Sequence, residues 1–115
     1  MIARLSRLMF LAALLLMLSI PGAAAAGELR IVDSRGLIMA MKKVSAPADV
    51  VLSFREGQTP AEAPVLSSVE GLTDDIKGIP EGPSRFIFRK VADGAWRIEA
   101  NREPSAIAEV IILNR

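Results

Sequence analysis

The sequence has no cysteine, no histidine and no tyrosine among its 115 residues. Without cysteine the chain forms no disulfide, carries no thiol nucleophile and has no cysteine to hold a lipid, so its stability must come from packing. Without histidine and cysteine the ordinary zinc and copper ligand sets are missing, and a histidine-based catalytic triad cannot form. These absences predict a protein that is not an enzyme and holds no metal ion or cofactor.

Carboxylates are the chemical groups that remain for a metal site. Asp74 and Asp75, with Glu70 and Glu81 nearby, offer oxygen ligands of the kind that calcium prefers. The spacing of an EF-hand loop is absent, and a solvated polar turn explains the same residues. We therefore predict no metal ligand in this segment.

The first 26 residues have the pattern of a signal peptide. Arg4 and Arg7 precede an apolar run over residues 8–20, and Ala24, Ala25 and Ala26 offer the small residues of a cleavage site. The run is too short for the roughly 20 residues that cross a bilayer as a helix. We expect export by the Sec route with cleavage after Ala26 into the periplasm or medium. This leaves residues 27–115 as one domain with no stable membrane span.

Charge gives no indication of a nucleic-acid partner. The leader contains two of the 14 basic residues and none of the 13 acidic ones, so residues 27–115 have a net charge of −1. They contain no block of like charge, and the basic patch that a nucleic-acid-binding protein needs is therefore absent.

Apolar and polar residues alternate with a period of two in several short segments, which predicts strands. The clearest segments cover residues 28–33, 37–44, 49–55 and 106–113, with a shorter one at 65–69. Turn residues separate them every 8–12 positions, as in small sandwiches. We expect an all-β fold, a small antiparallel β-sandwich of about seven strands, preceded by a cleavable N-terminal signal helix.

Residues 85–100 predict a β-hairpin, because two alternating strands flank Asp93 and Gly94, a pair typical of tight turns. On one face lie Phe86 and Phe88 of the first strand and Trp96 of the second. We interpret Trp96 as a core residue, the alternative being an exposed platform for a sugar ring.

Two groups of residues are candidates for binding. The first is a basic patch on the outward side of the hairpin, which would suit an acidic partner or simply be solvated. The second lies on the final strand, whose apolar residues on both faces require the strand to be central, covered, or in contact with a partner. The candidate residues are Arg85, Arg89, Arg97, Ile107, Ile111 and Leu113.

The order of these signals resembles the transthyretin-like (prealbumin-like) sandwiches, including the carboxypeptidase regulatory-like domains. The positions that carry the resemblance are core and turn residues: Val32, Asp33, Gly36, Val50, Leu52, Thr73, Asp74, Phe86, Phe88, Val91, Gly94, Trp96 and Ile98. The spacing between Gly78 and Phe86 is longer than the family pattern, which indicates an inserted loop. The strand pattern also fits a generic immunoglobulin-like sandwich.

Membership of that family implies binding or surface assembly rather than catalysis, and it brings no catalytic residue to this chain. We therefore expect a non-enzymatic module that binds another envelope or secreted protein, with its oligomeric state left open. The alternative is a carbohydrate-binding module that uses loop residues and Trp96 to hold a glycan. Residues 73–84, rich in glycine and proline, are the candidate recognition loop.

Overall fold

A computed structural model describes residues 27–114 of the chain. The predicted signal peptide and its cleavage site lie outside these residues. Within them the chain is all-β, with two sheets and a single short 3-10 turn. The all-β prediction is confirmed for this part of the sequence.

The described part of the chain contains nine strands. In chain order they are β1 (Gly27–Val32), β2 (Ile38–Val44), β3 (Ala48–Phe54), β4 (Val65–Ser68), β5 (Ile76–Lys77), β6 (Ile79–Pro80), β7 (Arg85–Val91), β8 (Gly94–Glu99) and β9 (Ile107–Leu113). The 3-10 turn over Pro104–Ala106 leads into β9. Sheet A has the strand order β2-β1-β8-β4-β5, and sheet B has the order β6-β7-β3-β9.

The two sheets enclose one core in a sandwich-like arrangement. The alternation that predicted the strands also selects the core, because every second residue of a strand points to the same side. In β3, for example, Val50 and Leu52 are fully buried and Phe54 is 3% exposed. The large core side chains, drawn from both sheets, are Leu29, Ile31, Leu52, Phe54, Leu66, Phe86, Phe88, Trp96, Ile98, Ile107 and Ile112.

The predicted hairpin at residues 85–100 is wrong, although both of its strands exist. β7 belongs to sheet B and β8 to sheet A, so the two strands do not pair. Asp93 and Gly94 link one sheet to the other, and Gly94 has a φ of 121°. The Trp96 Nε1 group donates a hydrogen bond to the Ala92 carbonyl oxygen at 2.9 Å, which ties β8 to the link. This crossing buries the aromatic residues of β7 and β8 from opposite sides of the core instead of side by side on one sheet.

Sheet A is mixed, so a purely antiparallel sandwich was also a wrong prediction. β1 pairs with β8 in parallel, with Ile31 opposite Trp96, whereas β1 pairs with β2 and β8 with β4 in the antiparallel sense. The parallel pair follows from the crossing, because β8 enters sheet A from β7 rather than by a hairpin within the sheet.

The candidate recognition loop, residues 73–84, is partly built into the fold. β5 pairs with β4 of sheet A and β6 pairs with β7 of sheet B, so the segment passes from one sheet to the other. Gly78 lies at the passage, and its N–H donates to the Pro64 carbonyl oxygen at 2.8 Å. A Cβ on Gly78 would lie 3.1 Å from that oxygen and 3.2 Å from Phe88 Cζ, so only glycine fits there without displacement.

Candidate functional site

A row of aliphatic residues crosses the outer face of sheet B. The strand register places Ile79 opposite Ile87, Ile87 opposite Val51, and Val51 opposite Ile111. Phe86 and Phe88, which precede and follow Ile87 along β7, point into the core, so Ile87 points outward. We call this row, one residue from each strand of sheet B, the apolar stripe.

The apolar stripe is exposed at its ends and covered at its centre. Ile79 is 49% exposed and Ile111 is 40% exposed, whereas Ile87 is 4% exposed and Val51 is partly buried. Cross-strand neighbours on one face lie close enough to pack against each other, which explains why the middle of the stripe is dry. A sheet face in contact with water alone ordinarily carries polar residues at such positions.

Charged residues flank the apolar stripe on both sides. On one side Ser53 lies opposite both Arg85 and Glu109, and Glu81 continues the row beyond Arg85, to whose carbonyl oxygen its N–H donates. On the other side Arg89 and Asp49 form an ion pair with 3.8 Å between Nη1 and Oδ2. The basic residues stand on β7, and the acidic ones stand on β3, on β9 and just after β6.

A bulge in β7 positions Arg89 on this face. Ala48 lies opposite Val91 and Val50 lies opposite Phe88. Two residues of β7, Arg89 and Lys90, are therefore opposite the single residue Asp49 of β3. The second of them, Lys90, has a φ of 55°, and its N–H donates to Asp49 Oδ1 at 3.3 Å. The bulge lets Val91 return to the core while Arg89 stays outward.

Four of the six predicted binding residues come together on the outer face of sheet B. Arg85 and Arg89 stand on β7, and Ile111 and Leu113 stand on β9, with β3 between the two strands. The sequence pattern indicated two separate groups of candidates. The long-range order of the strands brings them into one surface.

Arg97 does not belong to this surface, so the predicted basic patch that included it is wrong. β8 lies in sheet A, and Arg97 points from the outer face of that sheet, where its register partners are Val32 and Ser67. The Nε atom of Arg97 is buried and has no hydrogen-bond partner. The patch is divided because β7 and β8 do not form a hairpin.

Ile107 is a core residue rather than an outward one. Ser53 lies opposite Glu109 and Phe54 opposite Ile107, so Ala108 is an extra residue that reverses the alternation. Ile107 therefore points inward and is 8% exposed. β9 is an edge strand with Ile111 exposed on its outer side, which contradicts two of the three alternatives, a central strand and a strand covered on both faces.

The aromatic residues of the described chain offer no ring to a sugar. Phe54, Phe86, Phe88 and Trp96 are each 6% exposed or less. Trp96 is a core residue as the sequence predicted, and the alternative role as a platform is contradicted by its burial. The alternative of glycan binding would therefore have to rely on loop residues alone.

A cleft of about 410 Å³ lies among the loops at one end of the sandwich. Its polar lining includes Glu62, Glu99, Asn101 and Arg102, and no aromatic side chain takes part. Carbohydrate sites in exported domains commonly combine such polar groups with a stacking ring. The cleft lacks that element.

Asp33, which also lines this cleft, is already fully engaged. Its Oδ1 accepts the backbone N–H groups of Arg35 and Leu37 at 2.8 and 3.0 Å, and its Oδ2 accepts the Arg35 guanidinium at 2.8 and 3.1 Å. Burial alone would raise the pKa of this carboxyl, but the hydrogen bonds from the Arg35 side chain and the two N–H groups hold the pKa below its ordinary value of 3.8. Asp33 is a turn-forming residue with no free oxygen for a ligand.

Two further features bear on the site. Between residues 27 and 114, no cluster of three or more acidic side chains is arranged to hold a metal ion. The same part of the chain contains no helix with the length and hydropathy to span a membrane. Asp74 and Asp75 thus stand without further ligands around them in the described structure.

Comparison with known proteins gives no match to any family model, curated protein or solved structure. The function of the chain is therefore argued from the chemistry of its surfaces. Among these, the outer face of sheet B combines a continuous apolar row with a charged border.

Proposed function

We propose that the chain is an exported, non-enzymatic module that binds another protein through the outer face of sheet B. The observation that carries the proposal is the apolar stripe, which runs across all four strands and is exposed at both ends. Isolated exposed apolar residues are ordinary, but a contiguous row bordered by polar residues is typical of an interaction site.

The composition of the face supports a protein as the partner. Protein interfaces have an apolar centre, a polar rim and an excess of arginine over lysine. Here Ile87 and Val51 form the centre, and Arg85 and Arg89 stand at the border. A glycan would find no exposed aromatic ring to stack on, since the four described rings are buried.

The outer face of sheet A differs in kind. Its interior strands present Arg30 and Arg97, and Arg30 forms an ion pair with Glu28 at 2.7 Å. Its exposed apolar residues are Ile38 and Met41 on the edge strand β2 and Val69 just after β4. This face, where Arg30 and Arg97 interrupt the apolar residues, provides a control for the face of sheet B.

We also propose the transthyretin-like relationship and the exported location. Support for the former is that the matching positions behave as core and turn residues, since Leu52 and Phe88 are fully buried and Gly36 and Gly94 have positive φ values. Support for the latter is the signal-peptide pattern of residues 1–26.

The test compares two lysine substitutions on exposed positions of edge strands. Ile111→Lys places a charge in the apolar stripe, and Met41→Lys places one on the outer face of sheet A. Both variants should keep the wild-type circular dichroism spectrum. Their unfolding midpoints should differ from that of the wild type by no more than is usual for surface substitutions. We expect Ile111→Lys to lose the proteins that the wild type captures from envelope extract, and Met41→Lys to retain them. Equal capture by both variants would overturn the proposal.

A further inference from the structure

We infer that the partner of this face is a second copy of the chain, whose own sheet B packs against the first about a two-fold axis parallel to the strands. The inference rests on the proposed function of the outer face of sheet B. It adds the identity of the partner, and the observation that carries it is the separation of charge across the apolar stripe.

The charges on the face are segregated by strand. Arg85 and Arg89 both stand on β7, to one side of β3, whereas Glu109 stands on β9 on the other side of it. Asp49 lies on β3 itself and is held by Arg89 and by the Lys90 N–H. The β7 side of β3 therefore carries two arginines, and the β9 side carries one glutamate. In the described structure Glu81 is the one acidic residue on the β7 side, where it stands opposite Arg85 and its N–H donates to the Arg85 carbonyl oxygen at 2.9 Å.

A face of this kind is complementary to itself under one type of symmetry. A two-fold axis that lies between the sheets and runs along β3 exchanges the β7 side of one copy with the β9 side of the other. It sets Arg85 over Glu109 of the second copy, and Ile87 over Ile111 of the second copy, and each contact occurs twice. Such reciprocal contact is the defining property of a two-fold interface.

The other simple arrangement is disfavoured by charge. A two-fold axis across the strands would set Arg85 over Arg89 of the second copy, so that like charges meet at the border of the apolar stripe. Like-charge contacts at an interface select against that orientation. The apolar stripe would pack against itself in either case, and the charged rows therefore decide the orientation.

Charge reversal with mixing tests the inference on the protein as recovered after expression of the full chain. In the Arg85→Glu homodimer, position 85 of each copy places a glutamate over Glu109 of the other copy. In the Glu109→Arg homodimer, position 109 of each copy places an arginine over Arg85 of the other copy. In a heterodimer of the two variants every contact is again between opposite charges. Lys77→Glu, on the exposed side of sheet A, is the control.

Sedimentation velocity over a range of concentration and salt gives the readout. We expect a wild-type dimer that weakens as salt is added, and dissociation constants at least about tenfold higher for each single charge variant. An equimolar mixture of the two variants should dimerise as the wild type does, and Lys77→Glu should be unaffected. Recovery on mixing also excludes misfolding as the cause of the loss.

Three results would overturn the inference. They are a wild type that stays monomeric at every concentration, a dimer that persists in both charge variants, and a mixture that remains monomeric. In the first case the proposed function survives if Ile111→Lys still loses a heterologous partner that Met41→Lys retains. The two proposals therefore fail separately.

Discussion

Ile87 and Val51 lie directly opposite each other on β7 and β3, with both side chains on the outer face of sheet B. Ile87 is 4% exposed although it lies outside the main core, and its register neighbours Val51 and Ile79 flank it on the same face. The apolar stripe thus has a buried centre and solvent-exposed ends, which suits the outer face of sheet B to bind another protein.

Trp96 should contribute strongly to stability. Its side chain is 4% exposed, and its Nε1 group donates to the Ala92 carbonyl oxygen across the link between the sheets. We expect Trp96→Ala to lower the free energy of unfolding by about 3–5 kcal/mol, measured by chemical denaturation. Trp96→Phe should cost less, since it keeps most of the packing. A loss below about 1 kcal/mol for the alanine variant would contradict the burial.

Asp33 should make stability depend on acid pH. Its folded-state pKa is lowered, so its contribution is fully present above the unfolded value and is lost as the pH falls through the folded value. Asp33→Asn should therefore be less stable than wild type at pH 7, and the difference should shrink as the pH falls below about 4. Denaturation of both proteins across pH tests this, with the exposed Asp74→Asn as control. A difference independent of pH would contradict it.

Lys90 occupies a backbone conformation that glycine adopts more easily. Its φ of 55° is unfavourable for a residue with a Cβ, and its side chain is exposed. We expect Lys90→Gly to raise the free energy of unfolding by up to about 1 kcal/mol. Lys43→Gly, in the extended strand β2, should lower it by a similar amount. Equal destabilisation by both substitutions would show that the backbone conformation of Lys90 is not strained.

The exported protein should begin at Gly27. The expectation follows from the alanines that end at Ala26 and from the apolar run before them. Intact-mass spectrometry of protein recovered from the periplasm or medium measures it directly. A retained leader would remove the basis of the exported location while leaving the surface of sheet B unchanged.

Strand positions and core residues could be predicted from the sequence, because alternation is a local property. Val50, Leu52 and Phe88 are buried as their period of two indicates. Strand pairing could not be predicted in the same way. Asp93 and Gly94 fit a tight hairpin as well as a crossing between sheets, and the local sequence does not distinguish the two.

Only part of the candidate site could be predicted from the sequence, because strand pairing is not a local property. Ile111 and Arg85 each had an outward position by alternation, but β3 had to be placed between their strands before they became one surface. The inward position of Ile107 depends on the extra residue at Ala108, and nothing in the local pattern marks that bulge. Ile79 and Val51 were missed because a row across four strands is not a pattern along the chain.

Site-specific photo-crosslinking in cells tests the central claim most directly. A photoreactive amino acid replaces Ile111 in the apolar stripe, or Met41 on the outer face of sheet A as the matched position. The proposal predicts a discrete crosslinked protein from position 111, of twice the chain mass if the partner is a second copy, and none from position 41. Crosslinks from position 41 alone, or from neither position, would contradict it.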